Sequence, residues 1–412
     1  MRRNWSLGLL FLAGVLNIFD RQIVNILAQS IKADLHLSDA QLGLLTGTAF
    51  GLFYAVLGIP LGRLADRVNR VKLMATVLVL WSGLTILCGM AGNFLQLLVA
   101  RMGVGVGEAG SQPASTALVA DLFEPARRTS AMSTLLVSAS AGGFLGLALG
   151  GYVAAHWGWR IAFFVAGAPG FFLAVVMLVV MRDPRTLQPK RASPPFPQTV
   201  AALWRNPRFR WLALGLICIS YFAYAGGAWL PAYFIRVHGM TTSQIGGFAA
   251  LGVGVGGGFG TLGCGLICDA LRSRVRHVEI KALMITMALA VVLLLITVSV
   301  PQRPIALGAM LLFYMFTYAF FGPTVTLIQN EASAQTRSLA IALCISVSNI
   351  VNLGIAIFAV GALSDALTPK YGNRALGYAL GIGALIAAFL GLTAHSRVIA
   401  NTPRAGRTDS PD

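Results

Sequence analysis

Residues 101–110 read RMGVGVGEAG, an alternating glycine run led by an arginine and carrying a glutamate. Alternating glycines can form a phosphate-cradling loop, but that fingerprint needs a strand before it and a helix after it. The flanks here are FLQLLVA and SQPASTALVADLF. With the glycines they form one apolar run of about 27 residues, long enough to cross a bilayer as a helix, with no strand-turn signal. The stretch reads as a membrane helix holding two charges.

Composition supports that reading. Of the 412 residues, 57% are hydrophobic and only 11% are charged, against about 25% charged in soluble chains. So few charges cannot clothe a water-soluble surface of this size, and the chain reads as a polytopic membrane protein. A net charge of +17 could suit a nucleic-acid binder. The basic residues, however, sit in short loops without interleaved aromatics, which is the pattern of membrane topology and not of phosphate-backbone binding. Cys88, Cys218, Cys264, Cys268 and Cys344 lie inside apolar runs without zinc-ligand spacing, and read as small buried hydrophobes. His36, His156, His238, His277 and His395 fall at or near helix ends. No metal site, histidine relay or cofactor is expected. The N-terminus, MRRNWSLGLLFLAGV, has no convincing cleavage site and reads as an uncleaved first span.

Twelve apolar runs of spanning length can be drawn, at 6–30, 41–65, 72–92, 94–120, 128–153, 160–181, 209–235, 243–268, 280–300, 304–330, 338–363 and 375–395. One long proline-rich, basic connector, 182–208, splits them six and six. The expected plan is an N-terminal six-helix bundle over 1–181, a cytoplasmic linker over 182–208, a second bundle over 209–395 and a cytoplasmic tail over 396–412. Of 31 basic residues, Arg21 and Arg101 lie within spans, and Lys32, Arg160, Arg236, Arg303, Lys370 and Arg374 fall in one set of loops. The other 23 fall on the opposite side with both termini, so the positive-inside rule places both termini in the cytoplasm. Compact loops suggest a bacterial inner-membrane protein.

The halves repeat. SDAQLG at 38–43 answers TTSQIG at 241–246, and GRLAD at 62–66 answers GLICD at 265–269, both at an offset of 203. Pro113, Asp121 and Arg127 answer Pro323, Glu331 and Arg337 at an offset of 210. Parallel six-helix repeats are a sign of a secondary transporter with a site between the halves. GRLADRVNR, in the loop after the second span, resembles the signature of the major facilitator superfamily, and the resemblance extends over residues 6–395. IFDRQ in the first span, RMGVGVGEAG in the fourth and the following VADLF resemble the spinster family, mostly in the N-terminal half. The implied fold is all-α, with twelve transmembrane helices in two pseudo-symmetric bundles. Gly142, Gly146, Gly150 and Gly151 resemble the superfamily's antiporter motif, with Leu147 where a proline is expected.

A charge at the bilayer centre costs about 2.5–3.5 kcal/mol on insertion scales, so Asp20, Arg21, Arg101 and Glu108 must be paired or line a wet cavity. Arg101 and Glu108, seven apart, share a helix face and are separated by roughly 10 Å of rise. Gly105 between them leaves space, and Gln112 and Ser115 continue the stripe. In the superfamily fold the first and fourth helices are neighbours, which would put Asp20 opposite Glu108 with Arg101 above. Two carboxylates in a poorly solvated site do not easily both ionise, so proton and anionic headgroup would both act on this triad. Asp20 and Glu108 would carry the proton, and Arg101 would meet the headgroup. Arg21 is either a second headgroup contact or a local counter-charge. The glycines of the motif serve close helix packing.

The C-terminal half carries aromatics where the first carries charges. Tyr221, Tyr224, Phe316 and Phe320 are candidate cavity residues, and Asn349 and Asn352 add polar contacts. A cavity charged on one side and aromatic on the other suits an amphipathic anion. Asp66, Arg67, Arg70, Asp121 and Arg127, with repeat counterparts Asp269, Arg272, Glu331 and Arg337, are expected to form ion pairs that close the inner gate when the protein faces outward. The spinster resemblance implies a proton-linked transporter of a lysophospholipid or sphingosine-phosphate-like molecule, working by alternating access. A proton symporter of small organic anions and a proton–drug antiporter are the alternatives. No nucleophile–base constellation or nucleotide motif points to an enzyme. Protons, membrane lipids and substrate are the expected partners, and a monomer is expected.

Overall fold

The computed structural model describes residues 2–183, 196–333 and 336–401, and the described residues are helical with short connections. Twelve rods run back and forth. In the first half they are α1 (Arg2–Leu35), α2 (39–67), α3 (Arg70–Met90), α4 (94–122), α5 (Pro125–Trp157) and α6 (Trp159–Val180). In the second they are α7 (Pro207–His238), α8 (242–271), α9 (Val278–Ser299), α10 (303–330), α11 (337–371) and α12 (Ala375–Ala400). Most rods extend beyond their apolar runs, because polar caps and first turns continue the helix past the hydrocarbon. α12 continues through 396–400, which the sequence assigned to a tail. The linker contains a helix, Phe196–Arg205, that hydrophobicity does not announce.

Helix starts follow capping chemistry. The repeated SDAQLG and TTSQIG stretches are both capping boxes. Ser38 with Gln41 opens α2, and Thr241 with Gln244 opens α8, each satisfying two otherwise orphaned amides. Asn69, Asn93 and Asn206 cap α3, α4 and α7. The second repeat is also structural. α4 is interrupted at Ala109–Gly110 and α10 at Ala319–Phe320, the same offset of 210 found in the sequence. π-helical turns at Leu44–Thr48, Leu251–Gly256 and Asn352–Ala356 interrupt α2, α8 and α11, the helices that meet across the halves.

Within the first half α1 packs along α5 and α3 along α6; within the second α7 packs along α12 and α9 against α10. The halves join where α2 crosses α11 and α5 crosses α8. Backbone contact makes both crossings. A Cβ on Gly47 would lie 2.5 Å from the Leu353 carbonyl, and one on Gly246 would lie 2.6 Å from the Leu147 carbonyl. Small residues allow this approach where lipid supplies no hydrophobic drive. Around the outside, Phe172, Val179, Phe259, Leu262 and Phe389 are each at least 70% exposed, a surface that only a hydrocarbon solvent makes favourable. The chain is an integral membrane protein.

Candidate functional site

Adjacent residues of a helix face different ways, and Asp20 and Arg21 divide the mid-membrane charges into two layers. Arg21 turns toward α4 and α2. Its Nε donates to Glu108 Oε2 at 2.7 Å, and its guanidinium lies 4.8 Å from the Phe50 ring centroid and 4.2 Å from that of Tyr54. The Arg21 side chain keeps 23% exposure while Glu108 has none. The Tyr54 hydroxyl in turn donates to Gln112 Oε1 at 3.2 Å. From the opposite half, Tyr224 lies within charge-interaction range of Arg21 and Tyr54 and donates its hydroxyl to Asn349 Oδ1 at 2.7 Å. Arg21, Tyr54, Gln112, Tyr224 and Asn349 thus form a polar belt between the halves.

The second layer lies inside the first half. Asp20 turns toward α3, where the Thr85 hydroxyl donates to its Oδ2 at 3.3 Å. Arg101 is 2% exposed, and its guanidinium lies 5.2 Å from the Phe50 centroid. It makes no ion pair with a described side chain. Asp20 Oδ1, Glu108 Oε1, Arg101 Nε and Asn17 Nδ2 are buried without a hydrogen-bond partner, at a point in the membrane where each unsatisfied group is costly.

Asp20, Glu108 and Arg101 stand within electrostatic reach of one another, but the hydrogen-bonded partner of Glu108 differs from the expected one. Glu108 pairs with Arg21 of the first helix and not with Arg101 of its own. Gly105 supplies the physical reason. The space it leaves is filled by α2, since a Cβ there would lie 2.6 Å from the Phe50 carbonyl. Phe50 thus packs on the helix face that the seven-residue spacing assigns to Arg101 and Glu108, with its ring beside the Arg101 guanidinium. The other glycines of the run also serve packing; a Cβ on Gly107 would lie 2.8 Å from the Trp81 Cβ on α3. Ser115 turns to α3 as well, donating to Met74 Sδ at 3.7 Å.

In the second half Tyr221 is a correction. It is 7% exposed, and its hydroxyl donates to the Leu380 carbonyl of α12 at 3.3 Å, inside the bundle and away from the belt. Phe320 is buried edge-on to Phe321 at 6.3 Å, while Phe316 is half-buried. Asn352 donates to the Ile217 carbonyl at 3.1 Å, the helix-to-helix role expected of a membrane asparagine.

At the end carrying both termini, the described ion pairs stay within their halves. Arg70 on α3 pairs with Asp121 on α4, and the Arg70 backbone amide donates to Asp183 Oδ2 at 2.8 Å. Glu331, just past α10, meets Arg208 on α7 at 3.1 Å. Arg272 bridges Asp269 at 3.3 Å and Glu279 at 2.9 Å. Arg67, Arg127 and Arg337 are exposed, and the Asp66 side chain lies outside the described residues. The opposite end is different and went unread in the sequence. Asp39, 1% exposed, receives Arg236 from the other half through both terminal nitrogens at 2.6 Å. Lys32 at 2.5 Å and Ser364 at 2.7 Å also donate to it. Lys32 and Arg236 were visible only as loop cations, and Asp39 only as part of a repeat mark.

The major facilitator superfamily profile matches residues 10–354. An MFS-type efflux pump of Mycolicibacterium smegmatis is 34% identical over 92% of this chain and 89% of its own. Protein spinster homolog 1 of Xenopus tropicalis is 30% identical over 55% of this chain and 45% of its own. Among solved structures, an inward-facing, unoccupied bacterial homologue of the human lysosomal transporter spinster superposes with a TM-score of 0.87. It has 23% identity and covers 98% of this chain and 99% of that one. The twelve rods, the two halves and a profile match over most of the length give one conclusion: this chain belongs to the major facilitator superfamily of membrane transporters.

Proposed function

We propose that the protein is a proton-coupled transporter of an amphipathic anion with a lipid-like tail, of the lysophospholipid or sphingosine-phosphate type, moving proton and substrate in the same direction. The observation that carries this reading is the Arg21–Glu108 pair at the edge of the belt, with Arg21 partly exposed and Glu108 wholly buried. An anionic headgroup arriving between the halves meets Arg21, backed by Tyr54 and Gln112 and faced by Tyr224 and Asn349. Once the headgroup engages Arg21, Glu108 loses its counter-charge. A carboxylate without one in a poorly solvated site binds a proton more readily. Headgroup binding and protonation therefore favour one another, which is the linkage a coupled carrier needs. Asp20, with Thr85 and Arg101, is the second proton station. The aromatic second half suits the apolar tail. The placement of 23 of the 31 basic residues supports a bacterial inner membrane with both termini cytoplasmic.

The test is lysophospholipid-dependent proton movement in proteoliposomes. Wild-type protein is expected to move both species together. Glu108→Gln and Asp20→Asn are expected to uncouple proton from substrate, and Arg21→Ala to lose substrate dependence. Undiminished coupled flux in all three would refute the mechanism.

A further inference from the structure

The end opposite the termini carries charges that neither the central site nor the repeat explains. Asp39, the first residue of α2, is held by Arg236 at the end of α7 and by Ser364 on α11, both in the other half. Gln29 on α1 accepts from Arg236 Nε at 2.9 Å. The adjoining Asp365 makes a second, different contact. Its two oxygens accept the backbone amides of Asp39 and Ala40 at 2.9 and 2.8 Å. A helix leaves its first amides without internal partners and presents partial positive charge there. Here a carboxylate of the opposite half supplies what α2 lacks, and Ser38 takes the Gln41 amide at 3.1 Å. The contacts of Arg236 and Ser364 with Asp39, of Asp365 with the α2 amides and of Arg236 with Gln29 exist only while the two halves are together at this end, whereas Lys32–Asp39 and Ser38–Gln41 stay within the first half.

We infer that Asp39, Arg236 and Asp365 form a latch that positions the halves in the closed-outside state and sets its population at rest. The inference rests on the alternating-access reading of the proposed function. The chemistry is specific to this end. Arg160 and Asp34, also here, pair at 2.6 Å within the first half and do not oppose opening. Asp39 is wholly buried and meets two cations and a hydroxyl. Opening must therefore strip Arg236 and Ser364 from it, leaving only Lys32, and take Asp365 from the first two amides of α2 in one step. Removing one partner of a buried, hydrogen-bonded pair leaves the other uncompensated, and shifts such a two-state balance on the order of 100-fold.

The test reads distance and not transport, so it can fail independently of the proton and substrate proposal. The five native cysteines are buried, and His156, Asn373, Ser130 and Ser273 are exposed. Spin labels at His156→Cys with Asn373→Cys report the latch end, and Ser130→Cys with Ser273→Cys the opposite end. In lipid nanodiscs Arg236→Ala is expected to convert a rare open-outside population into a dominant one, lengthening the first distance and shortening the second. Asp365→Asn, which keeps one acceptor oxygen, should shift it less and serves where Arg236→Ala does not fold. Arg160→Ala should leave both distances as in the wild type. Unchanged distances in both latch variants would overturn the inference, as would an Arg160→Ala shift equal to that of Arg236→Ala.

Discussion

At mid-membrane the two halves use different chemistry on the same scaffold. The first buries Asp20, Glu108 and Arg101 and holds Arg21 partly exposed beside them. The second presents Tyr224 hydrogen-bonded to Asn349, with Tyr221 and Asn352 turned to backbone carbonyls. Yet α4 and α10 break at equivalent positions 210 residues apart, and α2 and α8 begin with the same capping box. The repeat conserves what builds and joins helices and leaves the side chains at the site free to diverge. One half holds the ionisable groups, and the other carries neutral hydrogen-bonding and aromatic side chains.

Four substitutions and one control test that contrast. The largest effect is expected from Glu108→Ala, which leaves the Arg21 guanidinium without its carboxylate. Breaking a buried pair on one side costs about 3–5 kcal/mol, read as a lower thermal unfolding midpoint and lost flux. If the midpoint holds, the pair is not what stabilises the first half. Next, Arg101→Leu should fold, because Arg101 makes no ion pair with a described side chain. It removes the cation nearest Asp20, so proton-driven uptake should fall by more than tenfold on the scale of about 1.4 kcal/mol per decade. Uptake at the wild-type rate would make Arg101 only a packing group. Third, Thr85→Val deletes one hydroxyl that donates to Asp20. It should cost about 1–2 kcal/mol, seen as a several-fold slower proton-coupled rate with substrate affinity unchanged. Smallest, Tyr224→Phe should raise the apparent KM about fivefold, the loss of one neutral hydrogen bond. Tyr221→Phe, facing away from the belt, should leave it unchanged, and the reverse order would show that the belt is misassigned.

Much of the fold was legible because lipid imposes strict rules. A spanning segment must be apolar, about 20 residues long and internally hydrogen-bonded, so the twelve runs could be drawn directly. Ten continuous helical stretches are long and apolar enough to span, one of them, Leu339–Ala400, holding both α11 and α12. The interrupted α4 completes the twelve. The charged residues were equally legible, since only a few side chains break the apolar pattern. Their pairing was not. Helical spacing placed Arg101 and Glu108 on one face, and nothing in residues 101–110 reveals that α2 would fill the notch at Gly105. Adjacency made Arg21 the ambiguous charge, although it became the partner of Glu108.

The sequence alone thus determined that this chain spans a membrane twelve times in two related halves and carries four charges at mid-depth. Those properties are local or periodic, and each is written in a window of some twenty residues. Only the tertiary structure decided that Arg21 faces the belt, that the Phe50 ring lies beside the Arg101 guanidinium, and that Asp39, Arg236 and Asp365 meet across the halves. These contacts join residues 197 and 326 positions apart. Their partners are chosen by how closely neighbouring helices can approach, a quantity that no single segment contains.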